Sequence, residues 1–233
     1  KRGIILDSII IQKAFLGLAF SNDGEKLYAS GGNDNWIIKY AIRKKKLVPE
    51  DTIVIGKPWP ELISLSGLAL DDSKKRIYIV TKDDNSLYVV DINSKKIISR
   101  HPLGGEGYTC ILSPDKKILY STCWGCDKVI VFDTEQLKIT GEISVGDNPN
   151  DLCITGNGQF LFVANANDNS VSVIDTRQMK VIEILNIALY PDAPTGSTPN
   201  SVALSKDDKL LYIANADKNC LAVFDVSYPG TSK

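Results

Sequence analysis

Apolar and polar residues alternate along this chain in short stretches, as in Val171-Ser172-Val173-Ile174-Asp175, each closed by a cluster of Asn, Asp, Gly or Ser. A period of two places successive side chains on opposite faces, so the pattern predicts short β-strands joined by tight turns. The stretches recur as a larger unit. Five segments align without gaps: GLAFSNDGEKLYASGGNDNWIIKYAI from Gly17, GLALDDSKKRIYIVTKDDNSLYVVDI from Gly67, TCILSPDKKILYSTCWGCDKVIVFDT from Thr109, DLCITGNGQFLFVANANDNSVSVIDT from Asp151 and SVALSKDDKLLYIANADKNCLAVFDV from Ser201. Their aromatic anchors are Tyr28, Tyr78, Tyr120, Phe162 and Tyr212, spaced 50, 42, 42 and 50 residues apart.

That period suits one four-stranded antiparallel blade of a β-propeller. In each repeat a short apolar strand such as Leu18-Ala19-Phe20 leads through a polar turn to the anchor strand. An Asn/Asp loop follows, then a third strand and an outer one such as Lys138 to Val145. Strands this short are not stable singly, so stacked blades must supply the core. The expectation is an all-β fold, with residues 1–233 one β-propeller domain that is either part of a seven-bladed ring, incomplete at its C-terminus, or a closed five-bladed one. Gly3 to Ile11 (GIILDSIII) reads as an outer strand that could complete the blade left without its fourth strand after Tyr228.

Phe162-Val163-Ala164-Asn165 and Tyr212-Ile213-Ala214-Asn215, with the Val-x-Val-Ile-Asp pattern that follows, resemble the YVTN-type β-propeller repeat. That group is similar in fold to the lactonase-like and YncE-like propellers, usually seven-bladed and often exported by bacteria and archaea. The run from Gly125 to Lys233 also resembles the N-terminal propeller portion of bacterial proteins that continue into an alkaline-phosphatase-like phosphoesterase domain. The resemblance implies a periplasmic or cell-surface location, with a cytoplasmic one still open, and would place any metal-dependent catalysis in a later domain. Two positions depart from the pattern: Ala41 stands where other repeats carry Asp91, Asp133, Asp175 and Asp225, and Thr81 stands where the signature asparagine belongs.

The bulk numbers narrow function by exclusion. With 233 residues, 43% hydrophobic and 24% charged, the chain can bury a real core. A net charge of −1 argues against a nucleic-acid partner, and the single basic run, Arg43 to Lys46, reads as a solvated turn. No apolar run is long enough for a membrane span, and an export leader is expected to be either absent or already removed. Five cysteines and one histidine fit neither a dense disulfide framework nor a zinc ribbon. The residues call for no metal or cofactor.

Repetition also weighs the candidate sites. An aspartate recurring in four blades at one register is expected to bond the next turn's backbone, since single sites do not recur. Cys110 and Cys153 replace apolar residues of the innermost strand. His101 has Ile143 and Leu185 as counterparts and no motif sets a nucleophile beside it. A metal-assisted lactonase site would need carboxylates and amides converging at a channel mouth, with Glu106, Asp147, Asn148 and Asp192 the loop candidates. The two long repeats place their extra length mostly in Gly56 to Ser66 and Ala188 to Asn200. Trp59 and Tyr190 on those loops, with Trp124, Glu106 and His101, are the candidates for a ligand- or partner-binding surface, against the plainer reading that the aromatics merely cover the loops.

Cys123-Trp124-Gly125-Cys126 spans a hairpin loop rather than a helix N-terminus, which removes the usual reason for a reactive CxxC thiol. Residues i and i+3 of a tight turn come within disulfide reach, so a loop-stapling disulfide is expected in an oxidising compartment, with free thiols the open alternative. A haem site is excluded, because Asp127 follows Cys126. The leading function is a non-catalytic binding or scaffold propeller, presenting loops to a protein, a glycan or a linked catalytic domain. The alternative is a lactonase-like hydrolase with a metal-assisted site at the central channel mouth.

Overall fold

The computed structural model describes residues 3–188 and 198–230. Nineteen strands are present among them. The first two repeats give β1 (Leu18–Phe20), β2 (Lys26–Ser30), β3 (Trp36–Arg43), β4 (Lys46–Val54), β5 (Leu65–Asp71), β6 (Arg76–Thr81), β7 (Ser86–Asp91) and β8 (Ile97–Pro102). The next two give β9 (Gly107–Leu112), β10 (Ile118–Cys123), β11 (Lys128–Asp133), β12 (Lys138–Ser144), β13 (Pro149–Ile154), β14 (Phe160–Asn165), β15 (Ser170–Asp175) and β16 (Lys180–Asn186). The fifth gives β17 (Pro199–Leu204), β18 (Leu210–Asn215) and β19 (Cys220–Asp225). Consecutive strands pair antiparallel into four four-stranded sheets and a three-stranded one, so the all-β, one-sheet-per-repeat expectation holds.

The chain divides into two compact units, Lys1–Pro102 with the first two sheets and Leu103–Lys233 with the other three. In the first unit, Ile37, Ile53 and Ile55 of the first repeat pack with Leu68, Ile77, Ile79 and Tyr88 of the second. In the second unit, Val129, Val131 and Ile143 meet Leu161, Val163 and Ile174, and Val171, Val173 and Leu185 meet Val202, Leu211 and Ile213. Each such side chain contributes roughly 1.5–3 kcal/mol on burial. Apolar alternation therefore serves both faces of a blade. The anchors Tyr28, Tyr78, Tyr120 and Phe162 are buried, while Tyr212 in the last sheet is only half-buried.

Turn chemistry repeats as closely as the strands. Ser21, Ser113 and Ser205 each donate to the aspartate two residues on, and Thr155 donates to Asn157. Asp91, Asp133, Asp175 and Asp225 each accept backbone N–H groups of the following turn. Those bonds hold their carboxyls below the ordinary carboxylate value. The residue just before the third strand is left-handed in four repeats, at Asn35, Asn85, Asp127 and Asn219, a conformation Asn and Asp tolerate best.

One expectation is corrected. Gly3 to Ile11 is not a strand: its side chains are mostly exposed, and it meets β4 where the Leu47 N–H donates to Asp7 Oδ2 at 2.8 Å. Apolar runs at 4–6 and 9–11 break the alternation that a paired strand with one buried face requires. The eight extra residues of the first repeat fall mostly in the connection after β4, as expected. Two lengthen the β3–β4 hairpin, where Trp36 pairs with Val54 whereas Ser86 pairs with Pro102, and six lengthen the next connection. The longer hairpin explains Ala41, which pairs with Val48 inside the ladder where other repeats already turn. Arg43 to Lys46 close it through left-handed Lys44 and Lys45, both exposed.

Candidate functional site

The long connection of the first unit, residues 55–64, is held by one side chain. Asn35 is fully buried, its amide donates to Lys57 O (2.6 Å) and Glu61 O (2.9 Å), and its Oδ1 accepts from Ser64 N (3.0 Å). Trp59 N donates to Asn33 O (3.3 Å), and the Trp59–Pro60 peptide is cis. The Lys57 N–H donates to Glu61 Oε2 (2.5 Å). Ser64 Oγ bonds Asn33 Oδ1 (2.6 Å) and the Asp83 carboxylate. The backbone of the loop is thus secured while the Trp59 side chain stands 65% exposed. An exposed indole on a secured backbone is suited to a partner contact.

Beside this loop lies a polar cluster that the sequence reading overlooked. Asp84 accepts from Thr81 Oγ1 and from the Tyr88 hydroxyl (2.5 Å), and Arg100 Nη2 lies 3.1 Å from it. Arg100 also donates to Ser86 Oγ (3.0 Å) and stacks 5.7 Å from the Tyr88 ring centre. Burial, then the Asp84 carboxylate, raises the Tyr88 phenol well above its ordinary range. The signal was present in Thr81 replacing the signature asparagine three residues before an aspartate.

In the second unit the corresponding hairpin carries Cys123 and Cys126, joined by a disulfide with Cα atoms 5.5 Å apart. Cys123 is fully buried. Gly105 lies against the bridge, where a Cβ would sit 3.0 Å from Cys123 Sγ. Trp124 N donates to Glu106 O (2.7 Å), Asn148 Nδ2 donates to Trp124 O (2.6 Å) and Asn148 N donates to Asp127 Oδ1 (3.0 Å). Asp147 N donates to Asp168 Oδ2 (2.9 Å), and the Asn167 side-chain amide bonds Asn148 Oδ1. Glu106, Trp124, Asp147 and Asn148 therefore do come together, but through backbone and amide bonds that knit loops. Trp124 is half-buried among them. Tyr190 and Asp192 lie outside the described residues.

His101 lies on β8, opposite Leu87, and its Nε2 is 2.9 Å from Ser99 Oγ. No sequence motif sets a serine beside this histidine, yet a period of two brings Ser99 onto the same face of the strand. Burial lowers the imidazole pKa, favouring the neutral ring. Burial pushes the thiols of Cys110 and Cys153 up to about 12, so both stay protonated as apolar fillers. Cys220 Sγ accepts from Asn215 Nδ2 at 3.7 Å. Among the described residues no three His, Cys, Asp or Glu side chains cluster to hold a metal ion.

Comparison with known proteins places this geometry. A family model described as "Lactonase, 7-bladed beta-propeller" matches residues 108–232. The chain belongs to this family. Antigen Lp49 of Leptospira interrogans is 28% identical over 180 residues, covering 67% of this propeller chain and 37% of its own length. YncE of Salmonella typhi is 30% identical over 177 residues, covering 72% and 46%. The chain thus spans between about a third and about half of these relatives. A solved structure, hydrazine synthase of Kuenenia stuttgartiensis, superposes with TM-score 0.68 at 17% identity, over 96% of this chain and 80% of that one, a likeness of fold alone. No helix of the described residues is long and apolar enough to cross a membrane.

Proposed function

We propose that this propeller is a binding module, non-catalytic in itself, that presents its secured loops to a protein partner. The observation that carries the reading is Trp59, 65% exposed on a connection whose backbone is held by fully buried Asn35. An aromatic on an already ordered backbone costs little loop ordering on contact and makes an efficient anchor. A glycan or a catalytic domain on the same polypeptide, including the phosphoesterase suggested by the repeat, would use the same loops. The Cys123–Cys126 bridge supports a periplasmic or cell-surface setting, where disulfides persist. The antigen name of the Leptospira relative agrees with that setting.

The test is site-specific photo-cross-linking from position 59 in an envelope extract, followed by affinity measurement with the purified partner. Trp59→Ala is expected to weaken binding at least about tenfold with the melting temperature unchanged, as for an interface anchor. Stoichiometric divalent-ion binding together with lactone turnover would instead favour the hydrolase reading that the family name suggests.

A further inference from the structure

The second unit holds a cleft of about 480 Å³ that the loop-face reading does not use. Its lining includes Val145, Gly146, Asp168, Ser170, Ser172 and Ile184. The repeat alignment shows what such a space can hold, because the second sheet carries the same constellation with the space filled. Asp84 corresponds to Asp168, Ser86 to Ser170, Tyr88 to Ser172 and Arg100 to Ile184. In the second sheet the Tyr88 ring is buried in the same cluster as Ile55, the counterpart of Val145, and its hydroxyl donates to Asp84 Oδ2 (2.5 Å). In the fourth sheet Ser172 withdraws the ring but leaves the carboxylate at the same register.

The polar groups of the cleft are poised for a ligand. Asn165, fully buried, donates through Nδ2 to Ser170 Oγ (2.8 Å) and Ser172 Oγ (3.0 Å). Both serine oxygens are thereby used as acceptors, so their own O–H protons remain to be donated elsewhere. Asp168 Oδ2 is taken by Asp147 N, which leaves Oδ1 as an acceptor. Gly146 permits this close packing, since a Cβ there would sit 2.3 Å from Asp168 Oδ2. Ile184, 65% exposed, supplies an apolar wall where the second sheet has a guanidinium. The orphan Asn165 Oδ1 carries no weight here, because Asn215 shares it. The pair of serines belongs to the fourth repeat alone.

We infer that this cleft binds a small ligand built on a hydroxylated six-membered ring, its ring in the volume Tyr88 fills in the second sheet and a hydroxyl donating to Asp168. Phenols and monosaccharides share that chemistry, and two probes separate them: p-cresol, the tyrosine side-chain analogue, and methyl glucoside. Titration of the chain, followed through NMR shifts of the Val145 and Ile184 methyl groups, is expected to saturate with one or both probes by about 10 mM, the range of a weak single-ring ligand. Ser172→Tyr restores the missing ring and is expected to abolish binding while the melting temperature holds or rises. Asp168→Asn and Ile184→Ala, the latter at an exposed position, are each expected to weaken it about tenfold, the effect of losing one good contact. No saturable shift with either probe, or undiminished binding to Ser172→Tyr, would overturn the assignment.

Discussion

At the residue scale, one hairpin position is secured by a different bond in each unit. Thr81 hydrogen-bonds Asp84 in the second sheet, and Cys123 is bonded covalently to Cys126 at the same register in the third. The recurrence makes the cysteine pair a clamp on the loop that carries Trp124. A four-residue disulfide loop is worth about 2 kcal/mol by chain entropy. Cys126→Ser should therefore lower the melting temperature by several degrees and speed amide exchange from Trp124 to Asp127, which mass-resolved exchange reads directly. Asn35→Gly keeps the left-handed backbone, φ 58°, but deletes three hydrogen bonds, including one that satisfies the N–H of buried Ser64. A cost of about 2–3 kcal/mol is expected, measured as a shift in urea midpoint. The turn-capping aspartates set an acid limit. Asp91, Asp133 and Asp175 have folded pKa values below the ordinary 3.8, so their stabilisation is full above that value and is lost as pH falls through the folded pKa. Urea midpoints should fall below about pH 4, and less steeply in a triple Asp-to-Asn variant.

At the element scale, equivalent strands differ in what covers them. Leu87, Val129 and Val171 are fully buried at one register of the third strand, whereas Leu221 at that register is 63% exposed and Val223 52%. Leu18 in the first sheet is 66% exposed where Leu68, Cys110, Leu152 and Val202 are 6–7% exposed. Val129 packs with Leu161 and Val163, Val171 with Val202 and Leu211, and Leu68 with Ile37 and Ile53, so within each unit the adjacent sheet covers these registers. Leu87→Ala should cost about 3 kcal/mol through lost contacts and a cavity, and Leu221→Ala less than about 0.5 kcal/mol, by paired denaturation curves. The Gly3 to Ile11 segment belongs to the same lesson: apolar content alone predicted a strand, but a strand also needs an edge in register and one buried face.

At the scale of the whole molecule, the family is seven-bladed and this chain supplies five sheets, the last with three strands among the described residues. In a protein carrying two more blades, Leu221→Ala is expected to become as costly as Leu87→Ala, which the same denaturation experiment would show. The propeller repeat, the strand order, the turn aspartates and the core role of Cys110 were legible in the sequence by itself. They depend on local periodicity and turn chemistry, repeated often enough for one copy to interpret another. What only the tertiary structure decided was the company each residue keeps. It showed that Asn35 holds the Trp59 connection, that Ser99 reaches His101, and that the Glu106 carbonyl and the Asn148 amide both bond the backbone of Trp124. It also showed that a cleft of about 480 Å³ opens where the fourth sheet has Ser172 in place of the second sheet's buried Tyr88. Such pairings join residues far apart in the chain, and no single-strand pattern encodes the distance between them.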